Sequence, residues 1–140
     1  MGDGIQVLCE KCTYSNMFLL GSGMNYSSLE NIKRIIHHSR WKTIQNILNN
    51  HKLIEGTEDY FNPTFYHELY QCSSCNNLTE KLYIKIDYEQ DGELKTYETS
   101  FTCPKCKKPL SPIGDEDIEN IPCPECKNKS LMAIGGILWD

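Results

Sequence analysis

The residues with the clearest chemical capacity are eight cysteines, which form four Cys-x-x-Cys pairs with none left over. This spacing lets both sulfurs of a tight turn point at one metal ion, and two such turns complete a tetrahedron. A single pair is also typical of a redox motif, but four pairs without an orphan favour metal ligation. The pattern predicts two four-cysteine sites built from Cys9, Cys12, Cys72, Cys75, Cys103, Cys106, Cys123 and Cys126.

Zinc is the metal that we predict, as two Zn²⁺ ions in a structural role, and iron is the alternative. Four thiolates leave no open coordination position for a substrate or an activated water. A mixed site is not needed, although His67 lies five residues before Cys72. We also find no spacing of nucleophile, base and oxyanion donors, and therefore expect no catalysis.

The pairing of the turns has three solutions. In a nested arrangement the strands that precede Cys103 and follow Cys75 form a hairpin, which brings those two turns together and leaves the chain ends to share the other ion. In a sequential arrangement the first two turns share one ion and the last two share another. A cross-braced arrangement is the third solution. The hairpin favours the nested arrangement.

The turns Cys103-Pro-Lys-Cys106 and Cys123-Pro-Glu-Cys126 carry proline after the first cysteine, which fixes φ there. With Cys9-Glu-Lys-Cys12-Thr-Tyr14, they resemble the knuckles of zinc-ribbon, or rubredoxin-like, proteins. The resemblance covers the four knuckles and their flanking strands, and it implies structural zinc or, as in rubredoxins, electron transfer by iron.

The resemblance is incomplete after the second cysteine of each knuckle, where the family usually has glycine. Asparagine tolerates the left-handed backbone conformation, whereas lysine and threonine do so less readily. We therefore expect the knuckles with lysine or threonine to be less regular. The four residues at this position are Thr13, Asn76, Lys107 and Lys127.

The remaining pattern predicts an α+β fold of zinc-ribbon hairpins with a helical insertion. Ser27 and Glu30 form a capping box before a helix, and Ser39 marks a second helix that ends near Asn50. The apolar stripes that these helices bury include Trp41. Strands are predicted at residues 5–8, 17–20, 65–71, 82–88 and 94–101, and around the glycines in 131–139. The turn of the central hairpin is placed at residues 90–92.

We expect a single compact unit over residues 1–140, with ribbon parts at 1–25 and 65–140 and the helical insertion at 26–54. Residues 55–64 indicate a loop. The acidic run Asp115-Glu116-Asp117 also indicates a solvated loop, although some zinc ribbons hold magnesium with such residues.

Charge bears on the partners. The chain has a formal charge of −5, and two four-thiolate sites would bring it to about −9, which excludes a general polyanion binder. The insertion is the one basic region, and its cations Lys33, Arg34, Arg40 and Lys42 are candidate partner-binding residues. We expect a protein partner, with nucleic acid as the alternative.

No signal-peptide pattern and no membrane-spanning run are present, so we expect a cytoplasmic protein that does not bind membranes. Reduced thiols in that compartment favour metal ligation over disulfides.

Overall fold

The chain forms two antiparallel sheets and two helices, and strands make up most of its regular structure. The computed structural model describes residues 2–22 and 28–139. One sheet has the order β2-β1-β8, with β1 at Gly2–Cys9, β2 at Ser15–Leu20 and β8 at Leu131–Trp139. The expected mixture of strands and helices is therefore confirmed, with a larger share of strand.

The second sheet has the order β3-β5-β4-β7, and β6 pairs with β5 as well. Its strands are β3 at Lys52–Leu53, β4 at Thr64–Cys72, β5 at Leu78–Gln90, β6 at Glu93–Glu98 and β7 at Leu110–Pro112. The short strands β3 and β7 were not predicted, because two or three residues carry too little alternation to stand out. The predicted loop at the acidic run is a 3-10 helix, Asp115–Asn120.

The β5–β6 hairpin turns where the sequence predicts. Asp91 and Gly92 have φ angles of +53° and +80°, as a two-residue turn of matching twist requires. Strand β6 ends earlier than predicted, at Glu98. Beyond it Thr99 still exchanges hydrogen bonds with Ile84, donating its N–H to the Ile84 carbonyl and accepting the Ile84 N–H on its side-chain hydroxyl.

Both helices begin at residues other than the predicted caps. The predicted cap Ser27 lies outside the described residues, and Ser28 caps α1 (Leu29–Ile32). For α2 (His38–Asn50) the expected cap Ser39 is wrong. His37 caps this helix, because its extended backbone lets Nδ1 accept the Ser39 N–H at 3.2 Å.

Three apolar clusters hold these elements together. The first fills the space between the two sheets, around Val7, Leu69 and Ile118. The second packs the helices on β5 and contains the buried Trp41, as the apolar stripe predicts. The third is small and surrounds Tyr70 beside the second cysteine group. Cysteines belong to the first and third clusters, so the predicted metal ligands lie within the packed core.

The Asn62 side chain fastens the loop between β3 and β4 to β5. Asn62 donates through Nδ2 to the carbonyls of Ile54 and Asp87, both at 2.7 Å. Its Oδ1 accepts the Asp87 N–H at 2.9 Å. The Asp87 carbonyl also accepts the Ile54 N–H, so the amide is the partner on which the Ile54 carbonyl and the Asp87 N–H depend. The Tyr60 hydroxyl adds a hydrogen bond from the loop to the Asp87 carboxylate.

Asn62→Ala should lower the free energy of unfolding by about 2–4 kcal/mol, because the Ile54 carbonyl and the Asp87 N–H, both partly buried, lose their partner. Asn50→Ala is the matched control, since Asn50 pairs with Asn46 on an exposed helix face, and it should change stability by less than about 0.5 kcal/mol. Urea denaturation of the metal-loaded protein measures both. Equal losses in the two variants would contradict the role given to Asn62.

Candidate metal centres

The structure gathers the eight cysteines into two groups of four that are positioned to hold metal ions. One group contains the cysteines near the chain ends and the other contains the cysteines of the central region. All sulfurs within a group lie within 4.8 Å of one another. The nested pairing is confirmed, and the groups are Cys9, Cys12, Cys123 and Cys126 (site 1) and Cys72, Cys75, Cys103 and Cys106 (site 2).

The sulfur spacing fits a tetrahedral ion. In site 1 the Cys9–Cys126 and Cys12–Cys123 sulfurs are 3.5 and 3.6 Å apart. Sulfurs at the usual Zn–S bond length would stand about 3.8 Å apart in a regular tetrahedron. None of the eight forms a disulfide. The first cysteine of each knuckle is buried and the second is half-buried.

Strand pairing brings the knuckles of each site together. In site 1, β1 ends at Cys9 and β8 begins at Leu131, and these two residues are register partners. In site 2, β7 pairs with the end of β4 so that Cys72 lies opposite Leu110. The sequence predicted that the β5–β6 hairpin alone brings the second and third knuckles together. The short strand β7 contributes as well, since its pairing with β4 places the third knuckle beside the second.

Three of the four knuckles have the same backbone. The residue after the second cysteine donates its N–H to the carbonyl of the first cysteine at 2.9–3.0 Å. That residue is left-handed in each case, with φ of +62° at Asn76, +63° at Lys107 and +66° at Lys127. The expectation that the lysine knuckles are less regular is therefore wrong. The hydrogen bonding of the turn requires the left-handed conformation, and it outweighs the conformational free energy that this backbone costs a lysine.

The first knuckle differs from the others. Thr13 is not among the described residues with positive φ, and no hydrogen bond joins its N–H to the Cys9 carbonyl. A branched Cβ makes the left-handed conformation more costly for threonine than for lysine. Here the expected irregularity is confirmed, and the N–H groups of Lys11 and Tyr14 reach the sulfurs of Cys9 and Cys12 at 3.4 Å.

Hydrogen bonds favour the thiolate form of two cysteines in site 1, Cys9 and Cys126. The hydroxyl of Ser130, 3.0 Å from the sulfur, contributes most to lowering the pKa of Cys9 to about 6. The backbone N–H of Asn128 lowers the pKa of Cys126 in the same way. Metal ligation requires thiolates, so these donors suit a bound cation. Sequence reasoning missed Ser130, which no knuckle pattern contains.

Hydrogen bonds also shift the pKa values of two cysteines in site 2. The Cys75 N–H contributes most to lowering the pKa of Cys72 to about 6, and the Cys106 thiol adds to the effect. In turn the Cys72 sulfur, 3.1 Å away, raises the pKa of Cys106 to about 11. The two sulfurs thus share a proton between them, and a divalent ion would replace that proton.

Two side chains connect the sites directly. The buried Gln71 amide donates to the carbonyl of Asn76 beside site 2 and to that of Pro122 beside site 1, at 3.2 and 3.1 Å. The ammonium of Lys127 donates from the last knuckle to the Cys75 carbonyl at 2.8 Å. The sequence did not predict this bridging role for either residue, because each acts between knuckles that are distant in the chain.

The candidate partner-binding cations do not form one cluster. Lys33 and Arg34 lie exposed in the turn after α1, with the Lys33 ammonium 5.6 Å from the Trp41 ring centre. Arg40 and Lys42 lie on α2, where Lys42 is exposed and Arg40 is half-buried against Phe101. Arg40 therefore already has a packing role.

Comparison with protein-family models, with curated proteins and with solved structures found no match to this chain. In the described part of the chain, no helix has the length and apolar character needed to cross a membrane.

Lys107→Gly should be more stable than Lys107→Ala by about 1 kcal/mol, because glycine adopts the left-handed conformation without a Cβ penalty. Both variants lose the lysine side chain, so their difference isolates the backbone. At Thr13 the order should reverse, with Thr13→Ala the more stable variant. Thermal unfolding of the four variants tests this, and a gain from glycine at both positions would contradict it.

Double cysteine variants test which knuckles share an ion. Cys9→Ser with Cys126→Ser removes two ligands from one site and should leave one metal ion per chain. Cys9→Ser with Cys75→Ser damages both sites and should leave almost none. Elemental analysis of each purified variant gives the count. The sequential arrangement predicts one remaining ion for the second variant and almost none for the first.

Proposed function

We propose that this chain is a zinc-ribbon protein in which two Zn²⁺ ions hold the fold and the folded unit serves as a protein-interaction module. The observation that carries the proposal is the pair of all-cysteine groups, each with four sulfurs within 4.8 Å. Four thiolates fill a tetrahedral ion, which is the composition of structural zinc sites. No ligand position remains for a substrate, so the proposal includes no catalysis.

The placement of the sites supports a structural role. Cys9 and Cys123 belong to the cluster between the two sheets, and Cys72 and Cys103 belong to the cluster around Tyr70. Small β domains have little apolar core, and a metal ion replaces part of it. Zinc is preferred to iron because both groups lie within the packed core, where a structural ion would hold the fold. Electron transfer by iron needs only one four-cysteine site, whereas this chain has two.

A protein partner is supported by charge. The chain has 19 acidic and 14 basic side chains, yet the ion pair in its described part is Lys95–Glu93, at 3.3 Å. The cations of the helical segment thus have no carboxylate within 4.0 Å. Unpaired cations on an acidic protein suit a partner that brings local negative charge. A reducing compartment such as the cytoplasm fits eight unoxidised thiols.

Protein purified without chelator should be colourless and contain two zinc ions per chain, and chelation should unfold it because the metal-binding free energy is part of the folding free energy. Elemental analysis, visible absorption and circular dichroism measure these properties. His67→Gln is the matched control and should keep both ions, because His67 belongs to neither site.

Two iron ions with visible absorption would favour electron transfer over the proposal. A metal-free protein with an intact fold would contradict any structural role for the sites.

A further inference from the structure

A groove of about 350 Å³ lies between the start of α2 and the outer edge of β5. It combines an apolar wall with three basic side chains, and no acidic residue lines it. Its principal residues are Ile35, His37, Arg40, Lys81, Leu82 and Phe101. Neither metal site contributes a ligand to it, so it is separate from the chemistry described above.

The groove contains unpaired backbone of a sheet edge. In an antiparallel ladder the N–H and C=O groups of alternate residues point to opposite sides of the strand. Ile84 directs its groups away from β4, because it exchanges hydrogen bonds with Thr99. Leu82 and Glu80, two and four residues away, direct their groups to the same side.

The register of β4 confirms this direction. His67 lies opposite Leu82, and its own backbone groups bond outward to Gly21. Beyond Thr99 the chain leaves β5, and Phe101 packs edge-on against Tyr70 with ring centres 5.4 Å apart. This register leaves the N–H and C=O of Leu82 on the side of β5 away from β4, and no turn, loop or side-chain hydrogen bond of the described residues reaches them.

The basic side chains frame this open edge. The Arg40 guanidinium lies 4.6 Å from the Phe101 ring centre and donates to the Ser100 carbonyl, so it is held at the rim. Lys81 contributes from β5 and His37 from the helix start. No carboxylate in the described part of the chain lies within 4.0 Å of Arg40 or Lys81. Ile35, 46% exposed, supplies an apolar surface nearby.

We propose that this groove binds an extended acidic segment of a partner protein, which adds a short strand to β5 at Leu82 and places a carboxylate against Arg40 and Lys81. An unpaired N–H and C=O on one residue require a donor and an acceptor together, which a peptide backbone offers and a simple anion does not. The basic rim selects acidic side chains.

The same features disfavour a nucleic acid. Single-stranded nucleic acids rely on exposed aromatic rings for stacking. Trp41 is only 7% exposed, and Arg40 covers the Phe101 ring. The inference rests on the proposed function as an interaction module. The metal content of the protein is measured separately, so failure of the peptide to bind can be told from failure of the proposed zinc role.

Hydrogen exchange tests the open edge without a ligand. The Leu82 amide should exchange much faster than the neighbouring Tyr83 amide, which faces β4 in the ladder. Equal protection of the two amides in the zinc-loaded full chain would overturn the proposal, because the edge would then be occupied.

Peptide titration tests recognition. The probe is an end-blocked Val-Asp-Val-Glu-Val peptide, followed by amide NMR of the ¹⁵N-labelled, zinc-loaded chain. Shifts should centre on Leu82, Ile84 and Thr99, and the Leu82 amide should gain protection. The Asn/Gln analogue of the peptide should bind about tenfold more weakly or worse, because it lacks the charge-assisted bonds.

Arg40→Gln with Lys81→Gln should also weaken binding of the acidic peptide about tenfold or more. Lys95→Gln with Lys129→Gln removes the same charge from exposed positions outside the groove and should change binding less than about twofold. Lys81→Gln alone should give a partial loss, which keeps the test valid if the Arg40 change disturbs folding.

In the peptide experiments four outcomes would overturn the inference: no shifts at millimolar peptide, equal affinity for the neutral analogue, equal losses in the two double variants, or displacement of the peptide by single-stranded oligothymidylate. Any of these in a sample with two bound ions leaves the proposed zinc role intact.

Discussion

The fold depends on bringing cysteine sulfurs that are far apart in the chain together into two groups of four. Cys9 and Cys126 are separated by 117 residues, and Cys72 and Cys106 by 34. Each group fixes a pair of strand ends, because the knuckles lie where β1 and β4 finish and where β7 and β8 are about to begin. The two cysteine groups therefore lie where β1 pairs with β8 and where β4 pairs with β7.

The two sites form one connected assembly. Gln71 spans the gap between them with both amide hydrogens, and Lys127 bonds from one knuckle to a carbonyl of the other site. The apolar cluster between the sheets includes site 1 cysteines and Leu69, which stands three residues before Cys72. Loosening either site would therefore disturb the backbone that presents the other.

Much of this was predictable from particular residues. The cysteine spacing predicted the ligand sets, and the Asp91-Gly92 pair predicted the hairpin turn that supports the nested pairing. The apolar stripe placed Trp41 in the core. Two of the errors share one cause, which is that the local preference of a residue was overruled by its neighbours. Lys107 and Lys127 are left-handed because the knuckle hydrogen bonds require it, and His37 caps α2 although Ser39 is the better isolated cap.

The sequence by itself predicted two four-cysteine sites, since four Cys-x-x-Cys pairs with no cysteine left over admit only three pairings. It also determined the acidic balance and the basic helical segment. Only the tertiary structure decided which charged side chains lie close together. Arg40 and Lys81 are 41 residues apart and meet at one groove because β5 runs beside the start of α2. Strand pairing likewise decided that the backbone of Leu82 stays open, because that depends on where the chain turns away after Thr99.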